Sequence, residues 1–312
     1  MQVEAQNNTD NSALLTIVVP FYNEAENIPE FLPLLVNYCQ ERNWNLFLVD
    51  DGSSDSTLAL LKQFADGEAV QVFGHGRNMG YGAAIKTGLA HVRTPFVVTI
   101  DGDGQHKLED IDVLLEIAQN ADADMVIGSR VNQQKEDKMR KTGKSLIRSF
   151  ARLLMPLTVQ DLNSGFKLYR AELVQNYASL APDGMAFSDT ITLCFIHNGH
   201  KVLEHPIQTN PRTKGKSTIN LFTAFDTILQ ILNISVLFNP LKVFLPASLF
   251  FILVGFLWGI PFVIMGRGVS VGAMLSILAG LIFFAIGLIA HQLSALRMQL
   301  LNQNRANMHK DR

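Results

Sequence analysis

Cysteine is scarce in this sequence, and that scarcity excludes several kinds of protein. Cys39 and Cys194 are the only two in 312 residues. They are too few and too far apart for a disulfide framework or a cysteine metal cluster. Both are expected to be ordinary core residues of a protein in a reducing compartment. A zinc site is not expected at His106, because no second histidine or cysteine follows at ligand spacing.

Common nucleotide-binding and targeting signatures are also missing. Residues 77–82 (RNMGYG) precede a predicted helix over 83–92, but they contain neither the Lys-Ser/Thr pair of a P-loop nor a complete Gly-x-Gly-x-x-Gly fingerprint. ATPase and dinucleotide-binding functions therefore lose support. Residues 1–12 are polar and lack an apolar run, so no secretory signal peptide is predicted and the N-terminus is expected in the cytoplasm.

Charge is absent from two long runs near the C-terminus. Residues 243–265 contain no charge, and within 269–293 the one ionisable side chain is His291. Each run exceeds the roughly 20 residues that cross a bilayer core. The short connection at 266–268 predicts a tight hairpin, and basic residues flank it on both sides, which favours cytoplasmic flanks. The chain is thus expected to be a multi-pass protein of the cytoplasmic (inner) membrane, with the preceding globular domain and both termini cytoplasmic. Two buried helices of a soluble protein are the alternative.

Small residues recur within these runs at helical spacing. Gly255 and Gly259 lie in the first run, and Gly272, Ser276 and Gly280 lie in the second. Such spacing allows close helix contact. Packing inside one hairpin is the preferred explanation, and contact between protomers of a homo-oligomer is the other.

The first two thirds of the chain alternate β-rich runs with helical patterns. The runs are 15–20, 46–50, 70–73, 96–100 and 125–128. This order predicts an α/β fold with a mostly parallel, Rossmann-like sheet and helices on both faces. The predicted organisation is a polar tail (1–13), a globular domain (14–217), an amphipathic juxtamembrane helix (218–240), a hairpin (241–295) and a cytoplasmic tail (296–312). The amphipathic helix packs either on the membrane or on the globular domain.

Polar residues follow the predicted strands, and the acidic ones suggest a metal site. In parallel sheets, ligands bind beyond the carboxyl ends of the strands. Asp101 and Asp103 follow the fourth run, where two neighbouring carboxylates repel each other unless a cation offsets their charge. Together with Gln105 they form an oxygen-only ligand set that suits Mg²⁺ or Mn²⁺. A solvated acidic turn is the alternative. Asp51 follows another strand and is expected to bond a base or ribose.

Basic residues cluster in 130–152 and 201–216 and call for an anionic partner. Arg140, Lys144, Arg148 and Arg152 are spaced by four, so a helix would display them as one stripe. This stripe suits lipid headgroups or a lipid phosphate, and a solvated face is the alternative. Nucleic-acid binding is not expected, because no aromatic interleaving or known module accompanies the cations.

With these motifs in view, the chain resembles family-2 glycosyltransferases of GT-A fold, and specifically the dolichol-phosphate mannose synthase type. The resemblance covers about 15–218, and the hairpin is similar to that of the two-span members. The resemblance rests on the motifs VPFYNE (19–24), VDDGSSDST (49–57), RNMG (77–80), DGDGQH (101–106), GSR (128–130), NSGF (163–166) and PRTKGKS (211–217). Two departures concern the acceptor phosphate, because Gln160 and Thr218 stand where family members often carry arginine and lysine.

The resemblance implies a set of functional residues. The nucleotide-sugar site would comprise Pro20, Tyr22, Glu24, Val49, Asp51, Asp101, Asp103, Arg130 and Arg212. The metal would bind Asp101, Asp103 and Gln105. Acceptor-phosphate contacts would come from Arg130, Ser164 and Arg212, and the basic stripe described above adds Arg148 to this set. The catalytic set would be Asp101, Asp103, Arg130 and Asp189, although Asp189 is equally well explained as the N-cap of a helix over 190–199.

The implied reaction is inverting transfer of one hexose from a nucleotide-diphosphate sugar to a polyprenyl phosphate. GDP-mannose is the first expectation for the donor and a UDP-sugar such as UDP-glucose is the second. A polysaccharide synthase is a weaker candidate, because its Gln-x-x-Arg-Trp element is missing and neither Trp44 nor Trp258 follows an arginine. The remaining alternatives are a family-2 transferase with another acceptor and a non-catalytic membrane scaffold of the same fold.

Overall fold

The computed structural model describes residues 13–130, 159–208, 232 and 235–308. These residues form two compact units. One comprises 13–130 with 159–208, and the other lies within the C-terminal hairpin region.

A seven-stranded sheet forms the centre of the first unit. The strands are β1 (Leu15–Phe21), β2 (Asn45–Asp50), β3 (Val70–Gly74), β4 (Phe96–Thr99), β5 (Met125–Ser129), β6 (Lys167–Arg170) and β7 (Val202–Pro206). Their order is β3-β2-β1-β4-β6-β5-β7. β6 runs antiparallel to both of its neighbours, and every other pair is parallel. All five predicted strands are confirmed. β6 and β7 were not anticipated.

Helices cover both faces of this sheet. They are α1 (Ile28–Glu41), α2 (Thr57–Leu61), α3 (Tyr81–His91), α4 (Glu109–Asn120), α5 (Ala171–Ala178) and α6 (Phe187–His197). Alternate β1 residues such as Ile17 and Val19 share a buried cluster with α1 and α4. The opposite β1 face packs on α3, where a Cβ at Gly88 would lie 2.5 Å from Cγ1 of Val18. Because both faces are covered, strands such as β1, β2, β4 and β5 are largely apolar.

The second unit is a helical hairpin of α7 (Leu241–Ile264) and α8 (Val271–Met308). Both helices contain stretches long and apolar enough to cross a membrane. Many of their large apolar side chains are exposed, among them Trp258 and Ile264. Contiguous apolar surface of this kind is typical of a membrane-embedded segment. The hairpin thus offers two candidate spans, which corrects the broader multi-pass expectation.

Small residues hold the two helices of the hairpin close together. A Cβ at Gly255 would lie 2.5 Å from Cγ1 of Ile277, and one at Gly280 would lie 2.5 Å from Cγ1 of Ile252. The hydroxyl of Ser276 donates to the carbonyl of Phe251 at 2.7 Å. These contacts confirm packing within the hairpin. Gly272 has open space around it and takes no part.

Two predicted helices lie outside the described residues. The basic stripe over 140–152 is one of them. Of the amphipathic helix over 218–240, only Leu232 and 235–238 are described as helical.

Candidate active site

The loops after β1 and β2 are joined side by side at the carboxyl edge of the sheet. The amide of Asn23 donates to Oγ of Ser53 at 2.9 Å, and the amide of Ser54 donates to Oδ1 of Asn23 at 2.8 Å. The amide of Glu24 donates to Oγ1 of Thr57 at 3.0 Å. These bonds fix the loop that carries Tyr22 and Glu24, directly after Pro20 near the end of β1. The Tyr22 side chain is largely exposed there, so it is accessible to a ligand.

Asp51 is buried and already engaged with the chain itself. Its carboxylate accepts hydrogen bonds from the amides of Met79 and Gly80 at 2.9 and 2.8 Å. Nδ1 of His75 lies 2.7 Å from the same carboxylate, and Nε2 of His75 lies 2.9 Å from Oγ1 of Thr87. Asp51 therefore holds the 75–80 loop in place. Its predicted contact with a nucleotide stays a prediction.

The acidic turn follows β4, as predicted. The Asp101 carboxylate is about one-third exposed, at 33%. The amide of Gln105 donates to Oδ1 of Asp103 at 3.1 Å, which closes the turn. Gly104 has a φ of +69°, a conformation that favours glycine. Asp101, Asp103 and Gln105 are thus brought together on one short turn with partly exposed side chains.

A glycine leaves open space beside Asp101. A Cβ at Gly165 would lie 2.6 Å from Oδ1 of Asp101 and 2.8 Å from Oδ2. Any larger side chain would therefore press on the carboxylate. Within the part of the chain that the structure describes, no three His, Cys, Asp or Glu side chains gather at metal-ligand distances. A metal at this turn would need further oxygens from substrate or water.

Two side chains hold the Asp101 carboxylate from the protein side. The hydroxyl of Tyr81 donates to Oδ1 at 3.2 Å, and Nε2 of the buried His106 lies 3.8 Å from Oδ2. Burial by itself raises the pKa of Asp101, but His106, the Tyr81 hydrogen bond and the Arg130 charge together bring this pKa below its usual value. Asp101 is therefore ionised at neutral pH. His106 therefore supports an acidic residue of the turn.

Arg130 follows β5 and is held by an acidic neighbour. Its amide donates to Oδ2 of Asp161 at 3.0 Å, and its Nε donates to the same oxygen at 3.3 Å. Asp161 is in turn fixed by Glu204, whose Oε1 accepts the Asp161 amide at 2.8 Å. The Arg130 side chain is 36% exposed, so its guanidinium remains accessible to an anion.

Two predicted contacts are not supported by side-chain positions. Ser164 has no exposed surface, and its hydroxyl donates to the carbonyl of Gly128 at 2.6 Å. It therefore joins two backbone segments and is dropped from the proposed acceptor-phosphate set. Val49 is also fully buried, in the middle of the sheet, so its backbone alone remains for a contact with a nucleotide. Arg148 and Arg212 lie outside the described residues.

Asp189 lies in the first turn of α6, which begins at Phe187 after the cap residue Ala186. The N-cap explanation is therefore wrong. The side-chain amide of Asn163 faces Asp189. Because a carboxylate only accepts hydrogen bonds, the amide is assigned with its nitrogen toward Asp189, 2.7 Å from Oδ2 and also in contact with Oδ1. Burial raises the pKa of Asp189 to about 6, with Lys167 lowering it and Asp161 raising it further. A carboxylate with this pKa is matched to proton transfer near neutral pH.

Comparison with known proteins decides the family. Residues 16–178 match the model of Glycosyl transferase family 2, and residues 239–296 match the GtrB C-terminal hairpin. The first match covers more than half of the chain. The chain belongs to glycosyl transferase family 2.

Curated relatives of this family 2 glycosyltransferase include three named for polyprenyl-linked substrates. Polyprenol monophosphomannose synthase of Mycolicibacterium smegmatis is 31% identical over 65% of this chain and 80% of its own length. Dolichyl-phosphate beta-glucosyltransferase ALG5A of Trichomonas vaginalis is 32% identical over 52% and 54%. Undecaprenyl-phosphate 4-deoxy-4-formamido-L-arabinose transferase of Sodalis glossinidius is 30% identical over 66% and 63%. The chain thus spans less than two thirds of the last two relatives.

Solved structures share the fold of this glycosyltransferase. Glucosyl-3-phosphoglycerate synthase from Mycobacterium tuberculosis, in complex with phosphoglyceric acid, has a TM-score of 0.53 at 16% identity, over 72% of this chain and 80% of that chain. The same enzyme in complex with Mg²⁺ and uridine diphosphate has a TM-score of 0.51 at 16% identity, over 72% and 79%. At this identity the likeness confirms the GT-A fold alone.

Several residues that shape the glycosyltransferase site were missed from the sequence. They are Tyr81, His75, Asp161 and Lys167. The residues around Tyr81 and Asp161 in the sequence give no sign of a role at the site. The fold brings Tyr81 to Asp101 and Asp161 to Arg130 from distant parts of the chain. Lys167 did carry a signal, because it is a lysine beside the apolar residues of NSGFKLY.

Proposed function

We propose that this glycosyltransferase moves a single hexose from a nucleotide-diphosphate sugar to a polyprenyl phosphate at the cytoplasmic membrane face, with inversion at the anomeric carbon. The observation that carries the proposal is the arrangement at one sheet edge. There the Asp101–Asp103 turn follows β4 and the accessible Arg130 follows β5, the two strands that flank β6, while the partly buried Asp189 lies in the first turn of α6. Carboxylates and a cation so placed suit a metal-bound diphosphate and an anionic acceptor.

The lipid acceptor is supported by the relatives and by the hairpin. The three relatives are named for polyprenol, dolichyl-phosphate and undecaprenyl-phosphate substrates. The hairpin supplies two candidate membrane spans in the same chain. Lys242 lies at the start of the first candidate span and Arg297 ends the second, which favours cytoplasmic ends. GDP-mannose is the proposed donor, and UDP-glucose is the second candidate.

A divalent ion fits the acidic turn. The available side-chain ligands are oxygens, and Gly165 leaves room beside Asp101 for a substrate oxygen. Asp101, Asp103 and Gln105 would hold Mg²⁺ or Mn²⁺, the ions whose preference for oxygen ligands they match. When bound, the ion offsets the charge that develops on the leaving diphosphate.

The acceptor needs little activation from the protein. A phosphate monoester has a second pKa of about 6 and is largely dianionic at pH 7. The work of this chain is therefore positioning. Arg130 is proposed to bind a phosphate oxygen while Asp161 fixes its direction. Asp189 is proposed to orient the sugar or accept a proton.

The test is transfer of radiolabelled sugar into a polyprenyl-phosphate fraction. Membranes with the full chain are supplied with a panel of GDP- and UDP-sugars and with Mg²⁺ or Mn²⁺. We expect one donor to give a labelled lipid, and Asp103→Asn to abolish or strongly reduce it. Asp112→Asn is the matched control, because Asp112 lies on α4 and bonds Arg42 at 3.0 Å, outside this turn.

The outcomes separate the alternatives. Labelled lipid that is lost in Asp103→Asn and retained in Asp112→Asn supports the proposal and identifies the donor. Transfer to water or to a soluble acceptor only would indicate a different acceptor. Absence of turnover with every donor would contradict the proposed reaction and favour the scaffold.

A further inference from the structure

Lys167 is a fully buried lysine at the start of β6. It pairs with Thr99 of β4 on one side and with Ile127 of β5 on the other. Those two strands lead to Asp101 and to Arg130. Lys167 therefore lies in the sheet between the strands that carry the acidic turn and the accessible arginine.

The Lys167 ammonium donates three hydrogen bonds, one for each of its protons. Its Nζ lies 2.7 Å from the carbonyl of Leu162, 2.8 Å from the carbonyl of Ser188 and 2.7 Å from Oγ1 of Thr192. All three acceptors are uncharged. The first belongs to the segment before β6, and the other two belong to α6. Lys167 thus joins that segment to the helix.

The two joined elements carry the Asn163–Asp189 contact. Asn163 is the residue after Leu162, and Asp189 is the residue after Ser188. The Asn163 amide nitrogen lies 2.7 Å from Oδ2 of Asp189. Since Lys167 holds the carbonyl immediately before each partner, it fixes the separation and direction of the pair.

We propose that Lys167 is a positioning residue of the transfer reaction, which holds Asn163 against Asp189. This inference rests on the proposed function, because it gives Asp189 a role toward the donor sugar. A buried ammonium without a carboxylate in contact is expensive for the fold. Its charge acts on the surrounding carboxylates through space.

The charges around the two groups agree with this role. Burial raises the pKa of Asp189 to about 6, while Lys167 lowers it and Asp161 raises it. Burial lowers the pKa of Lys167 to about 8, against the opposing effects of Asp189, Asp161 and Asp101, and Arg130 lowers it further. The lysine is therefore mostly cationic at pH 7, where it favours the ionised form of Asp189.

The first test compares pH profiles of kcat for the full chain and for Lys167→Met. Removing the cation is expected to lower kcat by roughly 10²-fold through misplacement of the pair. It is also expected to move the acid limb of the profile to higher pH by about one unit or more, since Asp189 then protonates more readily. Lys86→Met is the matched control. Lys86 also donates to the segment before α6, at the carbonyl of Ala181, and its loss is expected to leave the acid limb unchanged.

Two further variants test the proposal even if Lys167→Met fails to fold. Thr192→Val removes one acceptor of the ammonium and keeps the charge, so kcat is expected to fall several-fold with an unchanged acid limb. Asp189→Asn is expected to remove the contribution of Asp189 to the acid limb while Lys167 remains. The part of the limb that is left reports the acceptor phosphate, whose second pKa is about 6. An acid limb that stays in place in folded Lys167→Met would overturn the proposal, and so would an unchanged kcat in Thr192→Val.

A measurement without activity separates this inference from the proposed function. The pH dependence of the unfolding temperature is compared between wild type and Asp189→Asn, with and without Lys167→Met, in the detergent-solubilised full chain. We expect the pH range over which Asp189→Asn changes the unfolding temperature to lie at higher pH when Lys167 is replaced. An unchanged pH range would overturn the inference, whereas wild-type protein that transfers no sugar to any lipid contradicts the proposed function alone.

Discussion

The hydroxyl of Tyr81 donates a hydrogen bond to Oδ1 of Asp101 across 3.2 Å. Tyr81 is the first residue of α3, whereas Asp101 follows β4. Burial raises the pKa of the Tyr81 phenol well above its usual value, and the Asp101 charge raises it further. The phenol therefore stays protonated and serves as a donor that orients one carboxylate of the proposed metal site.

Tyr81→Phe tests this relationship. The side chain keeps its shape and loses the hydrogen bond. Partners behind metal ligands typically contribute about 10–100-fold to metal affinity or activity. We expect the Mg²⁺ or Mn²⁺ concentration for half-maximal transfer to rise by about this factor. Titration of activity with each metal measures it, and an unchanged half-saturation would remove Tyr81 from the site.

Asp161→Ala is expected to impair both the reaction and the stability of the fold. The Arg130 side chain is 36% exposed but the Asp161 side chain only 13%, and Asp161 also accepts the Arg130 amide, so its loss should lower the unfolding free energy by about 1–3 kcal/mol. Without Asp161 the guanidinium loses its fixed direction, and kcat/KM for the acceptor should fall about 10-fold or more. Steady-state kinetics of Asp161→Ala, Arg130→Gln and the double variant measure the coupling. Strictly additive effects would mean that the two residues act separately.

The pKa of Asp189 predicts a pH-dependent stability effect. Its folded-state pKa of about 6 lies above the ordinary aspartate value of about 3.9. The folded chain therefore binds the extra proton, and the stability that this proton contributes is present below about pH 4 and is lost as pH rises through about 6. Asp189→Asn has no carboxyl to ionise, so it does not lose stability in this pH range. Relative to wild type, it should gain about 1–3 kcal/mol between pH 4 and pH 7.5, while its transfer activity falls.

Unfolding temperatures of wild type and Asp189→Asn at a series of pH values check this sign. A stability difference that does not change between pH 4 and pH 7.5 would show that the pKa of the Asp189 carboxyl is not raised. Asp112→Asn serves as the comparison, because its hydrogen bonds to Arg42 and Tyr38 lie on the surface of α1 and α4.

Gly280→Ala should loosen the hairpin, and Gly272→Ala should not. A Cβ at Gly280 would lie 2.5 Å from Cγ1 of Ile252 and 2.8 Å from the backbone oxygen of Ser248, so the helices must separate. Overpacking of this kind costs about 1–3 kcal/mol. At Gly272 the nearest atom would be Oγ of Ser270, at 3.8 Å. Thermal unfolding of the hairpin in detergent compares the two. Equal effects would contradict the observed packing.

Local patterns were sufficient for much of the fold. The five predicted strands and the paired apolar helices follow from apolar periodicity, run length and short connections, which neighbouring residues specify. The acidic turn at Asp101–Asp103 was placed correctly for the same reason, since it directly follows a buried strand. β6 escaped prediction because a four-residue antiparallel strand between two parallel ones is defined by pairing across the sheet and has no signature of its own.

By itself, the sequence determined the family, the strand-helix order, the acidic turn and the two candidate spans, because each depends on a pattern of residues that are close together in the chain. Tertiary structure decided the roles of individual side chains. Ser164 bonds a backbone carbonyl, Asp189 lies in the first turn of α6, and Lys167 is a buried cation that joins the segment before β6 to α6. The physical reason is that burial and charge at these positions come from partners 20 or more residues away. Only the folded chain brings those partners within hydrogen-bond distance.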